Sequence, residues 1–129
     1  MVELLRENQI TGWSTYPVEG HGRKGEFLPG YHGFAVTGRR CRRHSAPSLR
    51  LTKPPIVPGA KPREVLKGLY FHPEDWDGSD FFLIDNSIIV TERVYRLFQK
   101  AKIRNVRFIP LPEVELSVAA LKILGRLEE

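Results

Sequence analysis

Residues 80 to 102 read DFFLIDNSIIVTERVYRLFQKAK, and this run leaves few folds open to the chain. Two short apolar stretches, rich in aromatic and β-branched side chains, flank Asp85-Asn86, which predicts a pair of strands around a turn. Thr91 then stands where a helix N-cap belongs, its hydroxyl placed to accept from the open amides of the first turn. Beyond it Val94, Leu97, Phe98 and Ala101 fall at i, i+3, i+4 and i+7, one apolar face of a helix. Strands followed by a helix that must bury a stripe imply an α+β domain.

The rest of the chain supplies further short elements. VELLREN at residues 2 to 8 predicts a short helix ending before Gly12. WSTYPVEG and YHGFAVTG predict strands of a hairpin or meander, with HGRKG as turn chemistry between them. From Arg39 to Pro62 the pattern decays, and Pro47, Pro54, Pro55, Pro58 and Pro62 remove backbone donors, so no central strand can cross this segment. It is expected to be a long loop at about 39–62, with one edge strand near SLRLT. EVLKGLYFH predicts a strand through Leu69 and Phe71, and NVRFIP another with Val106 and Phe108 on one side. Leu116, Ala120, Ile123, Leu124 and Leu127 make the stripe of an expected C-terminal helix.

Composition narrows the class. At 129 residues the chain is about one domain long and can bury a core without staples. Cys41 is the single cysteine, which excludes an internal disulfide and suits a reducing, cytoplasmic setting. No apolar run approaches the roughly twenty residues of a membrane span, so no membrane association is expected. The net charge of +5 is uneven: residues 39 to 67 hold nine basic groups against Glu64, a local +8, leaving −3 for the remainder. Such a segment attracts phosphates or an acidic protein surface.

Four groupings of side chains invite a chemical reading. In HPEDWDGSDFF the acids Glu74, Asp75, Asp77 and Asp80 suggest a cation site or an acid/base pair. A calcium loop, however, would need glycine where Asp80 stands and a bidentate Glu where Asn86 stands. The simpler expectation is a turn at Gly78 capped by Asp77 or Ser79, with Trp76, Phe81 and Phe82 at the core or its edge. His21, His32, Cys41 and His44 have zinc-ligand chemistry, but the histidines are widely spaced and the arginines around Cys41 repel a cation. Neither a metal nor another cofactor is expected. Those arginines also favour a Cys41 thiolate, yet His44 lies three residues away outside any catalytic motif, so a loop thiol is preferred.

GRRCRRH is the strongest electrostatic feature. It suits phosphate neutralisation, and Tyr31, His32 and Phe34 nearby could stack on bases, but no helix-turn-helix, zinc-finger, RNP or KH signature accompanies it. GHGRKGEFLPG lacks the Gly-Lys-Ser/Thr ending of a phosphate loop and is expected to form a hairpin tip.

The order GLYFHPEDWDGSDFFLIDNSIIVTERVYRLFQKAKIRNVRFIPLPEVE resembles the C-terminal region of the eleventh immunity-protein family of polymorphic toxin systems and the related double-CXXCG myxobacterial proteins. GSDFFL, IIVTERV, YRLFQKAKI and VRFIPL carry the resemblance, which is best over residues 65 to 115. It implies a protein that binds and neutralises a cognate toxin without catalysis. The paired cysteines of the double-CXXCG group are missing here, so their zinc ribbon is not carried over.

The expectation is a single α+β domain over residues 1–129, with short, mainly antiparallel strands packed on one or two helices. Its expected function is non-catalytic protein binding, with a cognate toxin as the partner that the resemblance implies. Trp76, Asp77 and Asp80 on the turn and Arg39, Arg40, Arg42 and Arg43 on the basic loop are the candidate contacts. The alternative is a nucleic-acid-binding or regulatory module using the basic loop 39–53.

Overall fold

A computed structural model describes residues 1 to 118 apart from Pro29 and Tyr31. Along the chain run α1 (Val2–Glu7), β1 (Trp13–Pro17), β2 (Gly20–His21), β3 (Phe27–Leu28), β4 (His32–Val36), β5 (Arg40–Cys41), β6 (Leu49–Lys53), β7 (Arg63–Lys67), β8 (Phe81–Ile84), β9 (Ser87–Val90), α2 (Glu92–Lys100) and β10 (Glu115–Ser117). The class is α+β, with antiparallel strand pairs. The chain divides into two compact units, Met1–Arg40 with Trp76–Ile103, and Cys41–Asp75 with the residues from Arg104 onward.

In the first unit β1 pairs with β4, Trp13 opposite Val36 and Pro17 opposite His32, and β2 pairs with β3 to close the far end of this ribbon. GHGRKGEF is therefore a hairpin tip, as its glycines predict. Trp13 stacks on Phe34 at 6.0 Å, and Phe34 meets Phe81 edge to face at 5.4 Å. The two rings carry the ribbon onto the hairpin of β8 and β9, whose turn holds Asp85 at φ 50°. Aspartate tolerates that left-handed geometry better than most side chains. Leu5, Ile10, Phe81, Phe82, Ile84, Ile89, Val94 and Phe98 are buried; of the four inner positions expected for α2, Val94 and Phe98 are buried, Leu97 is half-buried and Ala101, at the helix C-cap, is exposed.

Gly12 explains how close the backbones approach here. It sits at φ +84°, and a Cβ on it would collide with the Phe81 carbonyl, as would one on Gly38. The Gly12 carbonyl accepts from the amides of Thr37 and Gly38, so the end of β4 closes on the residue before β1. Only a residue without a side chain fits both demands at position 12.

In the second unit β7 is central, flanked by β10 and β6. β6 is the edge strand expected within SLRLT, and the prolines that follow it occupy the connection to β7. An edge position needs no ladder donor on its outer side, so proline is tolerated beside it. Lys53 of β6 reaches Glu115 of β10 at 2.7 Å, and Arg50 meets Glu64 at 2.7 Å. Leu66 packs with Val118 and Leu116.

Several expectations are corrected. The strand expected through Leu69 and Phe71 ends at Lys67, because Gly68 turns at φ +101° and its amide donates to the Val114 carbonyl. NVRFIP is not a strand: Val106 and Ile109 are exposed, and the chain enters a 3-10 turn at Leu111–Glu113. Leu116 belongs to β10 rather than to a C-terminal helix, since Leu116 pairs with Leu66. The remaining stripe residues, Ala120, Ile123, Leu124 and Leu127, lie outside the described residues. Within residues 39 to 62 the structure adds β5 to the expected edge strand β6.

Candidate interaction site

Gly78 turns at φ +85° between Trp76 and Ser79, and Asp77 holds the turn from outside. Its Oδ1 accepts from the Ser79 hydroxyl at 2.5 Å and the Ser79 amide at 3.1 Å. Its Oδ2 accepts from the Arg39 amide at 3.1 Å. Ser79's hydroxyl, then its amide, hold the Asp77 carboxyl below its ordinary range, since both donate to the ionised form. The turn expected from the sequence is thus present, and it does more than cap itself. The Arg39 bond brings the start of the basic segment beside the WDGS turn, a pairing across 38 positions that no local pattern announces.

Trp76 stands on this turn with 38% of its surface exposed. Its indole N–H donates to the Ser79 carbonyl at 2.9 Å, and its ring lies 5.7 Å from buried Phe82. The indole is therefore fixed on one side and open on the other, which resolves whether it fills the core or lies at its edge. Arg39 and Arg40 are exposed in the same unit.

Asp80 has a different fate from the one expected. The sequence puts it among the exposed contacts, but it is 7% exposed and ties four donor groups together. One carboxylate oxygen accepts from the Thr11 amide at 3.0 Å and the Thr11 hydroxyl at 3.2 Å, and from Arg93 Nη2 at 2.5 Å. The other accepts from the Thr91 hydroxyl at 2.8 Å. Burial pushes the Asp80 carboxyl up, but donation from Arg93, Thr11 and Thr91 outweighs it and holds the group at about 2. Thr91 does occupy the N-cap of α2, yet its hydroxyl serves Asp80 and makes no capping bond. Arg93 also donates to the carbonyls of Asn8 at 3.3 Å and Gln9 at 3.1 Å, which fastens the end of α1 to α2.

The basic segment splits by side. Arg42 is exposed, but Arg43 is only 3% exposed and is removed from the candidate contact surface. The reason is the period of extended backbone: Cys41, at 1% exposed, and Arg43 share one side, while Arg42 takes the other. Arg43 forms a bridge with Phe71. Burial of Cys41 also disfavours its use as an accessible nucleophile. His21 and His32 are exposed, and among the described residues no three His, Cys, Asp or Glu side chains gather where a metal ion would be held. His44 instead faces His72, ring centres 4.1 Å apart, a contact the sequence reading missed because 28 positions separate them. No helix among the described residues is long and apolar enough to cross a membrane.

Comparison with family models, with curated proteins and with solved structures finds no match.

Proposed function

We propose that this chain is a non-catalytic protein-binding domain whose contact surface is the patch of Trp76, Asp77, Arg39 and Arg40. The bond from the Arg39 amide to Asp77 carries the reading, because it sets a fixed, half-open indole beside exposed arginines. Trp and Arg dominate the energetics of protein interfaces, the first through its large rigid apolar body and the second through its planar donor fork. Two of the four acids that invited an acid/base reading serve the fold instead: both oxygens of Asp77 and of Asp80 accept from neighbouring donors.

The resemblance to the eleventh immunity-protein family extends the proposal to a cognate toxin, met in the cytoplasm and neutralised by occupation of its surface. A nucleic-acid role for residues 39–53 draws support from exposed Arg39, Arg40 and Arg42. It is weakened by the burial of Arg43 and by the pairing of Arg50 with Glu64 and of Lys53 with Glu115, which reduces the charge left for phosphates.

Capture of the tagged protein from its native host, with nuclease treatment and a salt wash, tests the proposal. A stoichiometric protein that is retained by the native chain and lost in Trp76→Ala is expected. Nucleic acid that leaves as salt rises, with no protein retained, would contradict it.

A further inference from the structure

Between the end of α1 and the outer side of α2 lies an open hollow of about 230 Å³, lined by Asn8, Ile10, Arg93, Arg96, Leu97 and Lys100. Its floor is apolar, from Ile10 and Leu97, and its rim is cationic. Arg93, Arg96 and Lys100 recur at i, i+3 and i+7, so they project from one side of the helix. All six residues belong to the first unit.

The three cations differ in what they have left to offer. Arg93 is committed to Asp80 and to the Asn8 and Gln9 carbonyls, so it forms the fixed wall. Arg96 is 2.7 Å from Glu92, but both side chains are about three-quarters exposed, and such i,i+4 pairs exchange readily for a better acid. Lys100 makes no ion pair among the described residues. The volume lies below the range of roughly 300–1,000 Å³ typical of drug-sized ligand pockets, while one apolar side chain would fill it.

We propose that this hollow receives one apolar side chain from an acidic segment of a protein partner, with the flanking carboxylates on Arg96 and Lys100. Charge complementarity selects that occupant: a basic segment would be repelled by Arg96 and Lys100 and a neutral one would gain nothing from them, whereas an acidic one pairs with Lys100 and competes with Glu92 for Arg96. A nucleic acid would meet the cations but offers no flexible apolar side chain to reach the floor. The site is separate in sequence and in lining residues from the Trp76 patch, and the proposal stands without it.

The test uses the full chain, isotope-labelled, titrated with a synthetic peptide in which one Leu or Phe is flanked by Glu on both sides. Saturable NMR shifts centred on Ile10, Leu97 and Lys100 are expected. Replacing Glu by Gln in the peptide, or Arg96 and Lys100 together by Gln in the protein, should each weaken binding on the order of tenfold, the effect of losing two partly exposed charge contacts. Replacing the central Leu or Phe by Ala should weaken it comparably, and Trp76→Ala should leave it unchanged. Arg96 and Lys100 are exposed, so circular dichroism of that double variant should match the native chain. Absence of shifts at these residues, equal binding of the Gln peptide, or equal binding of a single-stranded oligonucleotide would each overturn the proposal.

Discussion

Asp77 and Asp80 stand three residues apart in one turn, and they could be exchanged in a sequence pattern without changing its character. Their surroundings divide them. Asp77 is exposed and accepts from its own turn and from one distant amide, so water can replace each of its donors at small cost. Asp80 is buried and joins Thr11, Thr91 and Arg93, so the start of the ribbon, the first turn of α2 and the entry to β8 share one carboxylate. A charge that holds several elements together is a structural residue, and a charge that caps one turn leaves its neighbours free to meet a partner.

The sharpest way to break this contrast is to remove Asp80. Asp80→Ala takes from Thr11, Thr91 and Arg93 the partly buried acceptor they share, and urea unfolding should show a loss of about 3 kcal/mol, below the upper end for buried pairs because Arg93 stays half exposed. A loss under about 1 kcal/mol would make the two aspartates alike.

The pH dependence follows from the same group. Its pKa is depressed from 3.8 in the unfolded chain to about 2, so its contribution is fully present above pH 4 and is lost as pH falls through about 2. The contribution is at most about 2 kcal/mol, less with water reaching Arg93. In Asp80→Asn the fall in stability across that window should flatten, a result read from urea midpoints at successive pH values. An unchanged acid slope would show that another carboxyl carries it.

Asp77→Ala is expected to cost about 1 kcal/mol, the scale of a lost turn cap. The amide of Arg39 should also exchange faster with solvent deuterium, because Asp77 is its acceptor. The smallest effect is expected for Arg39→Glu with Arg40→Glu, within about 0.5 kcal/mol of the native chain, as for most exposed substitutions.

What the sequence could disclose is bounded by distance along the chain. The hairpin of β8 and β9, α2 with Val94 and Phe98 inward, the hairpin tip before β3 and the edge strand β6 all follow from signals within a dozen residues: alternation, helical period, turn chemistry and proline. Asp80 was misplaced because its partners Thr11 and Arg93 lie 69 and 13 positions away. Arg43 was misplaced because charge was weighed above alternation, although its two-residue offset from Cys41 carried the signal. NVRFIP has the composition of a strand but joins no sheet ladder among the described residues, and propensity alone does not make a sheet. The rim of Arg93, Arg96 and Lys100 was legible as helical spacing, while its apolar floor needs Ile10, more than eighty positions earlier.

The division between holding and displaying is tested most directly by measuring stability and partner capture together in two variants, Asp80→Asn and the Arg39→Glu, Arg40→Glu pair. The account predicts opposite outcomes. Asp80→Asn should lower the urea midpoint yet retain the captured protein under conditions where it remains folded, and the arginine pair should keep the midpoint and lose the protein. Retention of the partner by the arginine pair, or its loss from folded Asp80→Asn, would contradict the assignment of these residues.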